Sequence, residues 1–229
     1  MSTVNSRNMP NLVFFKDVGL VKYQEGMLLQ HKAYEEIISG LIKGSILALE
    51  HEKVITLGSR ASQKDILVDQ KKLVEEGFDI HHSDRGGQVT IHSKGQLVCY
   101  INIPLKDFKI KPVDFVRKIE NMIIALIKEF DIKGCAIKGK TGVWVNSNSI
   151  EKKIAAIGIR VSNKITLHGF ALNISNDLTL FENIVPCGLR ESKVTSVSEI
   201  TNNVPKRSDL ITKLNVQLQE MLQCEVIFE

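Results

Sequence analysis

The order of the periodic segments constrains this chain most. Three helical repeats stand far apart, and strand-like runs come in groups between them instead of alternating one for one with helices. The first helical repeat is Leu20 to Ile38, where Leu20, Tyr23, Met27, Tyr34 and Ile38 fall on one face. The second is Phe115 to Phe130, with Phe115, Ile119, Ile123, Leu126, Ile127 and Phe130 in register; Pro112 and Asp114 precede it and Lys133-Gly134 follow. The third is Asp209 to Leu222 behind Ser208 as a candidate N-cap. Between the first and second lie Ser45 to Leu49, Lys53 to Leu57, Phe78 to His82, Gln88 to His92 and Gln96 to Pro104. Between the second and third lie Gly142 to Val145, Ile154 to Val161 and Ile165 to Ile174. Clustered strands disfavour a doubly wound parallel sheet. They predict an α+β single domain with a mixed, largely antiparallel sheet and helices packed on it.

A chain of 229 residues that is 43% hydrophobic can bury one substantial core, and its formal net charge of +4 is too small to hold it unfolded. One domain is expected over 12–229, with 1–11 as a flexible N-terminus. The longest apolar runs, such as Met122 to Ile127, fall far short of the roughly 18 residues a membrane helix needs, and the N-terminus has no apolar signal core. The expectation is a cytoplasmic monomer that binds no membrane. Cys99, Cys135, Cys187 and Cys224 are too scattered for a disulfide framework and read as thiols. Positive charge concentrates between Lys106 and Lys164, but aromatic content is only 6%, so an acidic protein partner fits at least as well as nucleic acid, and no nucleic acid is expected.

Four constellations carry candidate chemistry. In Arg85-Gly86-Gly87-Gln88-Val89-Thr90-Ile91-His92, paired glycines allow close approach of backbone to a ligand, or serve as the turn of a hairpin. It matches neither a P-loop nor a dinucleotide fingerprint. In Lys153-Ile154-Ala155-Ala156-Ile157-Gly158-Ile159-Arg160, strand alternation puts Lys153 on the face of Ala155, Ile157 and Ile159. Lys153 is then either partly buried, as a base or charge stabiliser, or snorkels into water at the strand end. In Ile184-Val185-Pro186-Cys187-Gly188, a thiol sits between a rigid and a permissive residue, which suits a nucleophile beside an oxyanion site but also an ordinary buried cysteine. The fourth is His168-Gly169-Phe170-Ala171-Leu172-Asn173. With His51, His81, His82 and His92 it suggests a metal, but the spacings fit no known metal pattern, and neither metal nor cofactor is expected.

Together these blocks, with Thr56-Leu57-Gly58, Gly95-Gln96-Leu97-Val98 and Gly142-Val143-Trp144-Val145, resemble the octanoyltransferases of the lipoate-protein ligase B group. They run in family order over roughly residues 12 to 222. The resemblance implies a fold shared with biotin and lipoate ligases, and transfer of an octanoyl group from octanoyl-acyl carrier protein to a lysine of lipoyl domains. The acceptors it implies are the E2 subunits of 2-oxoacid dehydrogenases and the glycine cleavage H protein.

The resemblance places the acyl-accepting nucleophile on Cys187 and the lysine that lowers its pKa and moves protons on Lys153. It places the acyl pocket on Arg85, Gly86, Gly87, Gln88, Val89, Thr90, Ile91, His92, Ala156, Ile157, Gly158, Gly169, Phe170 and Ala171. One departure is Ser93-Lys94, where the family usually has Gly-Pro. The rivals are an ATP-using lipoate ligase on the same fold, a cysteine-dependent amidotransferase between lipoyl domains, and a non-catalytic acyl- or carrier-binding module.

Overall fold

The computed structural model describes residues 12–147, 150–185, 193–201 and 204–229. Its main sheet runs β12-β1-β2-β6-β10-β9-β8-β7, with β11 also on β9. The strands are β1 (Val13–Val21), β2 (Ser45–His51), β6 (Gln96–Asn102), β7 (Gly134–Ile137), β8 (Lys140–Ser147), β9 (Ile150–Ser162), β10 (Ile165–Asn173), β11 (Lys193–Val194) and β12 (Val226–Phe228). β1 is parallel to both β12 and β2, and β11 is parallel to β9; the other pairs are antiparallel. A smaller sheet, β4-β3-β5, is built from β3 (Val54–Leu57), β4 (Asp79–His82) and β5 (Val89–His92). The expected α+β domain with a mixed, mostly antiparallel sheet is therefore present.

Alternation along each strand divides the main sheet into two faces. One face buries Ile46, Ala48, Leu97, Cys99, Ile101, Phe170 and Leu172 against α3 (Pro112–Lys128) and α5 (Arg207–Leu222). Phe115, Ile119, Ile123, Leu214 and Leu218 are fully enclosed there. Each such side chain contributes about 1.5–3 kcal/mol through burial. The other face carries Leu47, Leu49, Val98, Tyr100 and Ala171 under α1 (Tyr23–Ile38). The small sheet packs around Ile55, Phe78, Val89 and Ile91 with Leu73 of α2 (Gln70–Glu75).

Several sequence expectations move. Leu20 belongs to β1, and α1 begins at Tyr23 and buries Tyr23, Gly26, Gln30, Ala33, Tyr34 and Ile37; Ile38 is exposed. α5 starts at Arg207 with Lys206 as N-cap, so Ser208 lies inside the helix. β4 and β5 form no hairpin. Both pair with β3, one on each side, so residues 83–88 cross over the end of β3. Ser93-Lys94-Gly95-Gln96 is a tight turn closed by Gln96 N–H to Ser93 O (3.2 Å). Gly95, at φ 87°, donates its N–H to Glu50 Oε2 at 2.6 Å.

Candidate active site

The crossover after β4 lies against the α1 side of the main sheet, and a cavity of about 400 Å³ opens between them. Backbone contact sets the spacing. Gly86 meets β9 so closely that a Cβ would stand 2.8 Å from Ile159 O, and a Cβ on Gly158 would stand 2.7 Å from Gly86 O. A side chain at either position would lift the crossover off the sheet.

Arg85 braces this crossover from within. Its guanidinium donates to Thr56 O (2.7 Å), Thr56 Oγ1 (2.9 Å), Gln88 O (2.7 Å) and Gly86 O (3.1 Å). Most of its donors therefore fix the loop that walls the cavity.

Lys153 reaches the cavity through a β-bulge. Val143 pairs with Ala155 and the next residue, Trp144, with Lys153, which leaves Ile154 as the extra residue on β9. Ile154 and Ala155 both enter the helix-side core, and the alternation changes phase there. Lys153 consequently shares the cavity with Ala156 and Gly158, while Ile157 and Ile159 pack toward the helical core. This corrects the face that strict alternation assigned to it. Lys153 is 8% exposed, and its Nζ lies 4.7 Å from the Trp144 ring centroid. Lys153 is therefore buried and does not snorkel into water at the strand end.

Arg85, Gly86, Gly87, Gln88, Val89, Thr90, His92, Ala156, Ile157, Gly158, Gly169, Phe170 and Ala171 all line the cavity. Ile91 does not; it is fully enclosed in the small-sheet core, because its neighbours Thr90 and His92 take the other face of β5. Cys187, with Pro186 and Gly188, lies outside the described residues. The described chain on its two sides has these partners. Val185 N–H donates to Asp65 O (2.8 Å), and Lys193–Val194 pairs with Lys152–Lys153.

The cavity also includes Tyr23, Arg60, Val98, Tyr100, Lys140, Thr141 and Trp144, none of which the sequence marked as a site residue, although Val98 and Trp144 stand in the family blocks. Tyr100 carried the clearest available signal, a phenol at the centre of a strand that is buried at every position. His51, although fully buried, bonds Tyr100 Oη through Nε2 at 2.7 Å and Val21 O through Nδ1 at 3.1 Å. Burial lowers the His51 pKa to about 4 and, with the nearby His51 and Arg85 adding to it, the His92 pKa to about 3. Burial also depresses His168, against the pull of Asp84, whose Oδ1 lies 2.6 Å from His168 Nε2. At neutral pH His51 and His92 are uncharged. Among the described residues no group of three His, Cys, Asp or Glu side chains is disposed to hold a metal ion.

Residues 22–219 match the family model described as the lipoyl protein ligase A/B catalytic domain. An octanoyltransferase of Clostridium kluyveri is 38% identical over 211 residues, covering 92% of this chain and 88% of that protein. One from Acidobacterium capsulatum is 40% identical over 189 residues, with coverage of 79% and 77%. Among solved structures, the T. acidophilum protein Ta0514, a lipoate protein ligase by its description, superimposes with a TM-score of 0.70 at 14% identity, covering 96% of this chain and 89% of that one. A biotin protein ligase from Aquifex aeolicus superimposes more loosely, at TM-score 0.52 and 15% identity over 93% of this chain and 70% of that one. The structures support the fold alone; the sequences support the group. The chain belongs to the lipoyl protein ligase A/B catalytic-domain family and falls, within it, among the octanoyltransferases.

Proposed function

We propose that this protein moves an octanoyl group from octanoyl-acyl carrier protein onto a lysine of lipoyl domains through a thioester on Cys187. The E2 subunits of 2-oxoacid dehydrogenases and the glycine cleavage H protein are the acceptors, and the enzyme works as a cytoplasmic monomer. The observation that carries this reading is Lys153, a buried lysine that a bulge turns into a cavity walled by small residues.

The Lys153 ammonium favours the Cys187 thiolate. That thiolate attacks the donor's thioester carbonyl, the carbon–sulfur bond to the carrier breaks, and the carrier sulfur leaves as a thiol with the proton of the Lys153 ammonium, which leaves Lys153 neutral. The acceptor lysine's neutral amine then attacks the Cys187 thioester. Its carbon–nitrogen bond forms, the bond to the Cys187 sulfur breaks, and the amine's surplus proton passes to neutral Lys153, restoring the ammonium beside the Cys187 thiolate. Exchanging one thioester for another is nearly isoenergetic, and thioester to amide is downhill, so no nucleotide is needed. Ala156, Gly158 and Gly169 leave room for the chain, while Arg85 to Thr90 and His92 form the opposite wall.

The test supplies octanoyl-acyl carrier protein and a lipoyl domain without ATP and follows the mass of the lipoyl domain. The expected result is gain of one octanoyl group, slowed about 100-fold or more in Lys153→Met. Modification only with free octanoic acid and ATP would make the protein an adenylate-forming ligase, the chemistry of a lipoate ligase on this fold.

A further inference from the structure

The buried polar groups behind the cavity form a chain whose hydrogen-bond directions can be read without ambiguity. Thr195 O can only accept, so Asn173 Nδ2 donates to it (2.9 Å) and Asn173 turns Oδ1 toward Gln96. Gln96 Nε2 donates to that Oδ1 at 2.8 Å and to Ile91 O at 3.3 Å, which leaves Gln96 Oε1 as the acceptor facing His92 Nδ1 at 2.7 Å. The proton of neutral His92 therefore sits on Nδ1, and its Nε2 is a bare lone pair. No hydrogen bond to that nitrogen exists within the described residues, and the His92 ring lines the cavity.

The same logic applies to Tyr100. Val21 O only accepts, so His51 carries its proton on Nδ1, and the Tyr100 hydroxyl spends its own proton on His51 Nε2. The Tyr100 oxygen is left with acceptor capacity alone. Two acceptors thus stand in a cavity that also holds the basic side chains of Arg60, Arg85, Lys140 and Lys153, together with neutral polar groups such as Gln88 and Thr90.

The chain that fixes His92 also reaches Lys153. Thr195 N–H donates to Lys153 O at 2.9 Å, and Gln96, Asn173 and Lys153 line one narrow crevice beside the main cavity. His92 and Lys153 are therefore held by one buried assembly, since Thr195, Asn173, Gln96, His92 and Lys153 are each at most 8% exposed.

We propose that His92 Nε2, with Tyr100 Oη in the same cavity, is the subsite for the incoming amine. It accepts an N–H of the acceptor lysine's neutral amino group and turns the nitrogen lone pair toward the acyl carbon at Lys153. Of the two reacting groups, the thioester has no N–H to offer and the amine does. The surrounding cations disfavour an ammonium, so the amine is held in the uncharged form that attacks. Burial keeps the imidazole neutral for this role. His92 takes no proton; it positions the nucleophile while the surplus proton passes to Lys153. The inference rests on the acyl-transfer reading above.

Two measurements test it. In ¹⁵N-histidine-labelled protein at neutral pH, His92 should show a protonated Nδ1 and an unprotonated, pyridine-type Nε2; the opposite tautomer would overturn the proposal whatever the kinetics. The two half-reactions are then followed separately, with acyl-enzyme formation read by intact mass and its discharge by a lipoyl domain read by loss of that mass. His92→Asn, which keeps the Nδ1-side group and removes the Nε2 acceptor, should slow discharge at least tenfold more than formation, with the acceptor's KM raised. His92→Gln, which returns an oxygen near the Nε2 position, should recover most of the loss. Equal slowing of both half-reactions would mark His92 as structural or as a contact of the donor's pantetheine amides and overturn the proposal. Failure of the wild-type protein to form any acyl-enzyme would instead overturn the acyl-transfer reading, and this inference with it.

Discussion

Lowering the pH from 7 to 5 should destabilise the fold by an amount set by two histidines. His51 is fully buried and His92 nearly so, with pKa values lowered to about 4 and about 3. In the unfolded chain both titrate near ~6.5. Below that pH the unfolded state takes up protons that the native state refuses, so each histidine drives unfolding as the pH falls. The loss begins near 6.5 and levels off only below the native values. At pH 5 both native rings are still essentially neutral, so linkage gives about 2 kcal/mol for each and about 4 kcal/mol for the pair. His168, whose native pKa is also lowered, adds in the same direction. In urea melts followed by Trp144 fluorescence, with m near 2–3 kcal/mol/M, the midpoint should fall by about 1.5 M with m unchanged. His51→Gln should remove about half of the pH slope, whatever it does to the absolute stability. A midpoint that holds constant between pH 7 and 5 would refute the argument, because it would mean these rings are protonated or solvated in the native state.

Other perturbations separate stability from catalysis. Glu120 is fully buried, with Oε1 accepting from Gly142 N–H at 3.0 Å and Oε2 paired to Arg117; Glu120→Ala orphans that N–H and should cost about 2–3 kcal/mol, a fall of roughly 4–12 °C in Tm by calorimetry. Gly158→Val should push Gly86 O off β9, cutting transfer at least tenfold while lowering Tm by only a few degrees; full activity would show that the crossover does not define the cavity. Arg207 joins Asp17 of β1 to Glu50 of β2, with Nη1 2.7 Å from Glu50 Oε1, and Glu50 in turn holds Gly95 N–H. Arg207→Leu should therefore destabilise by about 1–3 kcal/mol in denaturant melts without shifting the ratio of the two half-reactions.

The three long helices and most strands were legible because their apolar periods are long and regular: α3 holds one face from Phe115 to Ile127. β1 was not, because a register shift between Asp17 and Gly19, with Gly19 at φ 77°, interrupts its alternation. The face of Lys153 was misread for a related reason: one extra residue, Ile154, reverses the inside–outside order, and nothing in Lys-Ile-Ala-Ala-Ile announces it. Gly86-Gly87 has the composition of a hairpin turn, but pairing of both flanking strands with β3 is a long-range outcome that local composition does not encode. The cavity walls taken from the motif blocks were legible because they are contiguous in sequence. Tyr23 and Tyr100 were not, since each arrives singly from a distant element, and Trp144 stood in a motif block without being marked as a wall.

The central claim is that the acyl group rests covalently on Cys187 between donor and acceptor. Intact-mass measurement after incubation with octanoyl-acyl carrier protein, without acceptor or ATP, followed by peptide mapping, tests it most directly. One octanoyl adduct on the peptide containing Cys187, discharged on adding a lipoyl domain and absent in Cys187→Ala, is the predicted result. An unmodified enzyme that still octanoylates the lipoyl domain, or an adduct on Cys99, Cys135 or Cys224 instead, would contradict the account.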